Sequence, residues 1–364
     1  MECKQQIKTF LQRETFHNRS LSRLAEKADW LVSMNGQYYT PYLISILRRN
    51  VNDTQRSDKA YMKELVRDLR FSRAYYGSSY REYFLFRFQE HTELEKLQYV
   101  CWTELKDYYN QINRIGCPEI FDNKLLTFNF FHDFYHRDIC VVKELNDRSS
   151  FTDFIQQHKR FIIKPINEFG GKGVEIIELK ESLTPEAIWY QTINRIPFLA
   201  EELICQSQEI SKFYPHSVNT VRYNTFFHEG RLKRLQAAFR IGRGGSIVDN
   251  ATSGGIYTLV DTDSGRILCP ARSDFGEQFE VHPDTGVRFE GNQIPRWNEL
   301  NGLLDRIVRV VPKQKLVGWD FALSKDGWVL VEGNTRPALQ SFDLDHGLRQ
   351  FLKDSFGNAI RMWE

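Results

Sequence analysis

The sequence has few cysteines, and none of them has the spacing of a metal-binding or disulfide-rich protein. Its six cysteines are scattered over 364 residues and include no C-x-x-C pair. A zinc cluster is therefore not expected, and neither is a small scaffold held together by disulfides. We interpret the cysteines as reduced thiols and expect a cytoplasmic protein.

Long hydrophobic runs and a large excess of one charge are also missing. No apolar run reaches the about 18 residues that a membrane span needs, and the stretch MECKQQIKTFLQRE lacks the apolar core of a secretory signal. The net charge of +2 argues against a nucleic-acid-binding protein that relies on a broad basic surface. An ordinary globular protein remains, with 41% hydrophobic residues and enough length for two or three domains.

Glycine is scarce up to about residue 115, where apolar residues recur at three- and four-residue spacing and predict helices. Gly116-Cys117-Pro118 interrupts this pattern. After Arg160, β-branched runs alternate with glycine-rich turns, which predicts strands. The predicted strands are 161–165, 174–178, 198–204, 218–228, 232–242, 256–261, 316–323 and 328–333. Further helices are predicted at 124–136, near 297–310 and after Asp345. The predicted fold class is α+β with a helical N-terminal region.

Three patterns have both a structural and a functional interpretation. The stretch RFSRAYYGSSYREYFLFRF could stack sugars, but aromatics at helical spacing favour a hydrophobic core. His132 and His136 have the spacing of the zinc motif H-E-x-x-H, but Asp133 replaces the glutamate and no third ligand is evident, which favours two histidines on a helix face. The segment NATSGG, residues 250–255, is either a second loop over an acceptor substrate or a plain connection between strands.

A glycine loop between two strands points to a phosphate-binding segment. In FIIKPINEFGGKGVEIIEL, residues 161–179, no Ser or Thr follows Lys172, and a strand rather than a helix follows the loop. Both the P-loop and the dinucleotide-binding fingerprint are thereby excluded. The pattern predicts a hairpin whose flexible loop can lie against an anion. Lys164 supports this interpretation, because an unpaired ammonium in an apolar strand is unfavourable. A plain hairpin turn is the alternative.

Three oxygen-bearing side chains are predicted to converge near the C-terminus. In LVGWDFALSKDGWVLVEGN, residues 316–334, the turn at 325–327 predicts a hairpin in which Asp320 faces Glu332. Asn334 shares their face because side chains alternate along a strand, and the two opposed carboxylates repel each other. Mg²⁺ would remove the repulsion and prefers oxygen ligands. The hairpin is therefore a candidate metal site, with a solvated acidic face as the alternative.

With these features in this order, the sequence resembles the ATP-grasp superfamily over residues 120–340. The matching features are Lys124, Lys164 with the glycine loop, the hinge-like FLAEELI and the carboxylate hairpin. The segments SVNTVR, GRGGSIVDNATSGG, HPDTGVRFEGNQIPRW and EGNTRP are similar to the sugar-transfer-associated branch. The resemblance implies an ATP-grasp fold, in which two α+β lobes grip ATP. We expect a helical region at 1–115, the small lobe at 116–202 and the large lobe at 203–364.

The resemblance also implies roles for individual residues. The lysines would contact phosphates, the glycine loop would close over them, residues 201–203 would form the adenine hinge through backbone groups, and Glu209 would bind the ribose. The implied nucleotide-binding residues are Lys124, Lys164, Gly170, Gly171, Lys172, Gly173, Glu201, Glu202, Leu203 and Glu209. The implied Mg²⁺ ligands are Asp320, Glu332 and Asn334.

The group that would stabilise the transferred phosphoryl is less evident. Many carboxylate–amine ligases of the superfamily carry an arginine shortly before the first metal aspartate, whereas this chain has Gly318-Trp319 there. Arg222, Arg240 and Arg336 are the candidates instead, because a planar guanidinium can bind phosphate or carboxylate bidentately.

The expected function is an ATP- and Mg²⁺-dependent ligase that acts through an acyl phosphate. It would join an amino acid or amine to a sugar acid or glycan precursor in cell-surface polysaccharide biosynthesis. A kinase that phosphorylates a hydroxyl acceptor with the same site is the alternative. The lysines and the carboxylate hairpin argue against a non-catalytic nucleotide-binding module. The expected partners are small-molecule or glycan carboxylates and amines, and nucleic acid is not expected.

Overall fold

The computed structural model describes residues 36–167, 173–179, 183–339 and 347–357. The chain divides into two compact units. Unit one comprises Met1–Ile112, Arg272–Gln278 and Ala338–Glu364, and unit two comprises Asn113–Ala271 and Phe279–Pro337.

Helices dominate unit one, and strands dominate unit two. The α-helices of the described residues are α1 (Gly36–Asn50), α2 (Asp53–Ser57), α3 (Lys59–Tyr75), α4 (Tyr80–Leu85), α5 (Glu93–Lys96), α6 (Trp102–Ile112), α7 (Pro118–Asp122), α8 (Lys124–Phe131), α9 (Arg148–Gln157), α10 (Pro185–Thr192), α11 (Gln208–Ser211), α12 (Trp297–Ile307) and α13 (Arg349–Phe356). The strands are β1 (Ile139–Val142), β2 (Arg160–Pro165), β3 (Glu175–Glu178), β4 (Phe198–Glu202), β5 (Thr220–His228), β6 (Arg231–Ile241), β7 (Ile256–Val260), β8 (Ala271–Ser273), β9 (Gln278–Phe279), β10 (Leu316–Leu323) and β11 (Trp328–Asn334).

Unit one has an aromatic core. Tyr83, Phe86, Phe88 and Tyr99 are buried together, and the rings of Phe86 and Tyr99 lie 5.0 Å apart. The Tyr83 hydroxyl donates to Asp68 at 2.6 Å, which gives its polar end a partner. The interpretation of this aromatic stretch as core rather than a sugar-stacking surface is confirmed.

Arg349 connects the C-terminal helix α13 to the N-terminal helices of the same unit. Its guanidinium binds both carboxylate oxygens of Glu104, at 2.6 and 2.7 Å. It also donates to the carbonyls of Leu97, at 2.6 Å, and Tyr99, at 3.3 Å. Charged hydrogen bonds of this bidentate kind are among the stronger ones in proteins, so Arg349 is a main attachment of α13.

Unit two contains two antiparallel arrays of strands. The first sheet has the order β1-β4-β2-β3. The second array runs β11-β10-β5-β6-β7 within this unit. A large apolar cluster that includes Phe239, Leu304, Trp319 and Phe321 packs between the second array and α12. The strands of the first sheet all precede residue 203 and those of the second all follow it, but the predicted lobe boundaries themselves stay a prediction.

All eight strands predicted from the sequence are present, with shifts of a few residues at their ends. The short strands β1, β8 and β9 and the helices α7, α9, α10 and α11 were not predicted. The helix predicted at 124–136 is too long: α8 ends at Phe131, residues 132–134 form a 3₁₀ turn, and His136 has a positive φ of 45°. His132 and His136 therefore do not share a helix face, and the interpretation as helix-face histidines is wrong. Among the described helices, none has both the length and the apolar character that crossing a membrane requires.

Replacement of Arg349 tests its role as the attachment of α13. Arg349→Ala should lower the free energy of unfolding by about 2–3 kcal/mol, because it leaves the partly buried Glu104 carboxylate without its partner. Urea denaturation followed by tryptophan fluorescence measures the difference. Arg288→Ala is the matched control, since Arg288 is exposed and lies 3.5 Å from Glu280, and it should change stability by less than about 0.5 kcal/mol. Equal losses in the two variants would contradict this role.

Candidate active site

Strand register brings Asp320, Glu332 and Arg222 side by side. Asp320 on β10 is paired with Glu332 on β11 and, on its other side, with Arg222 on β5. Asn334 lies two residues beyond Glu332 and shares its face, and its Nδ2 donates to Glu332 Oε1 at 3.3 Å. The convergence of Asp320, Glu332 and Asn334 is therefore present in the structure, and metal binding by them stays a prediction.

A β-bulge in the β10–β11 hairpin creates this register. Phe321 pairs with Leu330, but the next residue, Asp320, pairs with Glu332, so Val331 is the extra residue. Without the bulge Asp320 would oppose Val331, and Glu332 would move to the other face of the sheet. One additional residue on β11 thus places the carboxylates of Asp320 and Glu332 opposite each other.

The carboxylate of Asp320 is fully buried and is held by two arginines. Arg222 donates through Nη2 to Oδ2 at 2.8 Å and through Nε to Oδ1. Arg240 on β6 donates through Nη2 to Oδ2 at 2.8 Å. A buried carboxylate without partners is unfavourable by several kcal/mol, so these cations are what permits Asp320 to be ionised inside the sheet. The structure thus joins two of the three predicted arginines to the predicted carboxylates.

The pKa values of the two carboxyl groups shift in opposite directions. Burial disfavours the charge on Asp320, but Arg222 and Arg240 outweigh this effect and lower its pKa. Loss of hydration and, next, the negative charge of Asp320 raise the pKa of Glu332. The Glu332 side chain is nevertheless exposed. Because this carboxyl group is solvent-accessible, a cation or substrate can approach it.

The donor set at this site fits a hard divalent cation. Asp320 accepts three hydrogen bonds from the arginines, which leaves one of the about four acceptor positions of a carboxylate. Glu332 is exposed, and Asn334 uses its amide nitrogen on Glu332, so its amide oxygen is the atom suited to a cation. Three oxygens of this kind, completed by phosphate and water, are what Mg²⁺ takes in proteins.

Two residues that were not singled out from the sequence extend this network. Thr220 Oγ1 accepts from Arg240 Nε at 3.0 Å and donates to Asp249 Oδ2. The Thr220 backbone N–H also donates to Asp249 Oδ2, at 3.0 Å. Burial raises the pKa of Asp249, although the positive charge of Arg240 acts in the other direction. Both residues lie in the segments SVNTVR and GRGGSIVDNATSGG that carry the family resemblance, which was the only sequence signal for them.

A second ion cluster surrounds Glu201 in the first sheet. Glu201 Oε2 accepts from Lys164 Nζ at 2.8 Å and from Arg137 at 2.8 and 3.1 Å. The Glu201 side chain is only 3% exposed. Burial alone would raise its pKa, but Lys164 and Arg137 outweigh burial and lower the pKa to about 2. Glu201, which was predicted to act through its backbone in the adenine hinge, therefore also binds Lys164 through its side chain. Lys164 is the lysine predicted to contact phosphate.

Arg137 and Tyr135 connect the Glu201 cluster to the carboxylate hairpin. Arg137 Nη1 donates to the carbonyl of Leu330 on β11 at 2.7 Å, two residues before Glu332. Burial and the charges of Glu201 and Glu332 raise the pKa of Tyr135. Groups from β2, β4 and β11 that are far apart in sequence thus lie within electrostatic reach of one another.

The other predicted residues are placed as follows. The N–H of Lys124 donates to the carbonyl of Ile166 at 3.0 Å, which puts the start of α8 beside the end of β2. Glu202 accepts from the N–H of Asp138 at 3.1 Å, Leu203 follows β4, and Glu209 is exposed on α11. Gly173 has a φ of 71°, a conformation that glycine adopts most readily.

Two sets of predicted residues are not brought into the Asp320 network. Arg336 is exposed, and its charge acts on Asp122. It is not among the described residues that bind Asp320, so its predicted role has no geometric support. Gly170, Gly171 and Lys172 lie outside the described residues. The nucleotide, metal and catalytic roles of all these residues stay predictions.

Comparison with known proteins identifies one family model and several structures of similar fold. The model, described as "Sugar-transfer associated ATP-grasp", matches residues 104–355. A comparison with curated proteins found no match.

The similar structures are distant from this chain. D-alanyl-alanine synthetase A from Vibrio cholerae O1 biovar eltor has 14% identity and a TM-score of 0.43, with 67% of each chain covered. N5-carboxyaminoimidazole synthetase from Staphylococcus aureus, complexed with ADP, has 13% identity and a TM-score of 0.39, with 61% of this chain and 46% of that chain covered. L-amino acid ligase from Bacillus licheniformis has 13% identity and a TM-score of 0.37, with 61% and 42% covered. This chain therefore spans less than half of the last two proteins, and no functional argument is drawn from these likenesses.

Replacement of Glu201 tests the ion cluster in the first sheet. Glu201→Gln should lower the free energy of unfolding at pH 7 by about 3 kcal/mol, because Arg137 and Lys164 lose their buried counter-charge. A carboxylate whose pKa falls from 4.5 to about 2 on folding stabilises the protein above pH 4.5 and ceases to do so as the pH falls towards 2. Chemical denaturation at several pH values should therefore show the difference shrinking below pH 4.5. Glu202→Gln, the neighbouring control, should lose less than about 1 kcal/mol. A loss in Glu201→Gln that is independent of pH would contradict the ion-pair account.

Replacement of Glu332 tests the opposed carboxylates. Glu332→Gln should raise the free energy of unfolding at pH 7 by about 0.5 kcal/mol without divalent ions, a modest effect because the side chain is exposed. A carboxyl group whose pKa is raised on folding stabilises the protein below its unfolded pKa of 4.5 and loses this contribution as the pH rises through the folded pKa. The advantage of the variant should therefore vanish at pH 4, as measured by urea denaturation in EDTA. Asp326→Asn in the turn of the same hairpin is the control, and a variant less stable than wild type at pH 7 would contradict the prediction.

Proposed function

Because the chain belongs to the sugar-transfer associated ATP-grasp family, we propose that it is an ATP- and Mg²⁺-dependent ligase that joins a carboxylic acid to an amine. The family match covers residues 104–355, which include the whole of the site described above. The substrates and the bond formed are part of the proposal.

The observation that carries the proposal is the pair of ion clusters. Arg222 and Arg240 are held by Asp320, and Lys164 is held by Glu201. A triphosphate is a dense array of negative oxygens, and it requires cations at fixed positions with their side chains already oriented. The carboxylates hold these cations in place before the nucleotide binds. The side chains therefore lose less conformational entropy when it does bind.

Asp320, Glu332 and Asn334 would hold the metal ion. When bound, Mg²⁺ neutralises charge on the phosphate oxygens. The raised pKa of Glu332 reflects in part the neighbouring Asp320 carboxylate, and a cation beside both groups would remove this repulsion. Metal binding should therefore release any proton that Glu332 retains.

In the first step the substrate carboxylate would attack the γ-phosphorus of ATP. A carboxylate oxygen forms the new bond to phosphorus while the bond from phosphorus to the bridging oxygen breaks, and ADP leaves. Arg222 and Arg240 are suited to the equatorial oxygens, where negative charge accumulates, because each presents a planar guanidinium. Lys164 would bind the phosphates of the leaving ADP. The protein contributes mainly positioning and charge neutralisation.

In the second step the amine would attack the carbonyl carbon of the acyl phosphate. The carbon–nitrogen bond forms, inorganic phosphate leaves, and the amine loses a proton. The family description names sugar transfer, which supports a sugar or glycan among the substrates. We propose that a sugar acid or glycan precursor supplies the carboxylate and that the product enters polysaccharide assembly. The cysteines at positions 101, 117, 140, 205 and 269 are free in the structure, which agrees with the reducing cytoplasm as the place of reaction.

The intermediate provides the test of this function. An acyl phosphate is an electrophile, whereas a phosphate ester of an alcohol is not. Wild-type protein with ATP, Mg²⁺ and a panel of sugar acids and amino acids should release ADP only with its own carboxylic acid, and hydroxylamine should trap the intermediate as a hydroxamate. A stable phosphorylated alcohol, with no hydroxamate and no amide, would show a kinase instead.

An arginine variant connects this chemistry to the site. Arg222→Lys keeps the positive charge but loses the bidentate geometry, so kcat for hydroxamate formation should fall about 100-fold. ATP affinity, measured by calorimetry, should change much less, because the interaction is strongest with the transferring phosphoryl group. Arg288→Ala serves as the surface control and should leave kcat unchanged. An unaltered kcat in a folded Arg222→Lys protein would remove Arg222 from the reaction.

A further inference from the structure

A cavity of about 630 Å³ lies beside the end of strand β6. The loop between β6 and β7 forms one side of it, and the turn after His282 forms the other. Its lining includes Arg243, Gly244, Ser246, Ser253, Gly254 and Asp284. This volume falls within the range of about 300–1,000 Å³ that small-molecule sites occupy.

The two sides of the cavity are bound to each other by buried polar contacts. His282 is fully buried, and its Nε2 donates to the carbonyl of Gly242 at 2.8 Å. Its Nδ1 accepts from the N–H of Asp284 at 3.2 Å, which defines the neutral tautomer. The N–H of Gly244 donates to Asp284 Oδ2 at 2.7 Å. Because these bonds join both sides, they hold the two sides of this open depression in a fixed arrangement.

The backbone of the loop also has a defined shape. Gly244 and Gly245 have φ values of 62° and 80°, which are strained for other residues. A Cβ on Gly255 would lie 2.2 Å from the carbonyl oxygen of Asp249, so only glycine fits there. These positions explain the glycines of GRGGSIVDNATSGG, and they favour a preformed site.

The side chains that face the cavity are those that recognise a sugar acid. Arg243 donates through Nε to the carbonyl of Gly254 at 2.7 Å, and its guanidinium lies 4.9 Å from the ring centre of Phe279. Contacts on both sides orient a guanidinium, the group best suited to a carboxylate. Ser253, Ser246 and the Asp284 carboxylate supply the hydrogen-bonding groups that sugar hydroxyls need.

The loop also reaches the phosphoryl-transfer site proposed above. Arg243 follows Arg240 by three residues, so their Cα atoms are at most about 11 Å apart. Asp249, in the middle of the loop, accepts from Thr220 at 3.0 Å and lies 3.7 Å from Arg240 Nε. The loop that lines the cavity therefore also contacts Arg240, through Asp249.

We propose that this cavity binds the carboxylate substrate and that the substrate is a uronic acid, with Arg243 contacting its carboxylate. The assignment of the ligand as the reacting substrate rests on the ligase function proposed above. Under this proposal, the loop that contains NATSGG covers the acceptor substrate and is not a plain connection between strands. Arg243 selects an acidic sugar over a neutral one, and Asp249 connects the loop to Arg240.

Binding of simple uronates tests this site without requiring turnover. Calorimetry on the full chain with a non-hydrolysable ATP analogue and Mg²⁺ should detect D-glucuronate or D-galacturonate, and D-glucose and D-galactose should bind at least 10-fold more weakly. Arg243→Ala should weaken binding of the uronate at least 10-fold and leave binding of the ATP analogue within twofold of wild type. Arg243→Lys should restore part of the affinity. Arg288→Ala, which changes an exposed arginine outside the lining, should behave as wild type.

Each outcome bears on the proposal. Equal binding of uronate to wild type and to a folded Arg243→Ala protein would overturn the site, and so would failure of both uronates to bind wild type. Competition by a free amino acid that abolishes uronate binding would assign the cavity to the amine instead. Uronate binding that depends on Arg243, without ADP release from any carboxylic acid, would uphold the cavity and reject the ligase. ADP release that depends on a carboxylic acid but is unchanged in Arg243→Ala would uphold the ligase and reject the cavity as its substrate site.

Discussion

The burial of the Asp320 carboxylate is the constraint on which the rest of the site depends. A fully buried carboxylate inside a sheet requires counter-charges. Arg222 supplies one from β5, which pairs with β10, and Arg240 supplies the other from β6, the next strand along the array. The arginines are held in position by the same contacts. Thr220 and Asp249 then complete the hydrogen bonding of Arg240, so the order of strands β6-β5-β10 is also the order of a charge network.

A second buried carboxylate with two cationic partners lies in the first sheet, where Glu201 binds Lys164 and Arg137. In both clusters a buried carboxylate holds the cations for which we propose a role in binding the nucleotide. Neither cluster is an efficient way to gain stability, because desolvation offsets most of the attraction in a buried ion pair. Under the proposed function, their presence is explained by the need for oriented positive charge at a phosphate site.

Glycine has two different uses in this chain. Between β2 and β3, the sequence predicts a glycine loop that lies against phosphate, and of its glycines Gly173 is described, with a φ of 71°. Between β6 and β7, glycines set the shape of a loop that is bound to His282 and Asp284 near its start and to Thr220 at its middle. The second loop lines a polar cavity and also contacts Arg240 through Asp249. Phosphoryl transfer and acceptor recognition would then share one continuous segment, from Arg240 to Gly255.

The sequence by itself determined the strands, the two hairpins and the face shared by Glu332 and Asn334, because alternation and turn chemistry are local properties. It also supplied the residues that carry the family resemblance. Only the tertiary structure decided which charges meet. Arg222 and Arg240 lie 98 and 80 residues from Asp320, and Arg137 lies 64 residues from Glu201. Strand order and register pair Arg222 with Asp320, and a bulge at Val331 brings Glu332 opposite Asp320. No local pattern encodes these features, since they are set by how distant strands pack into one sheet.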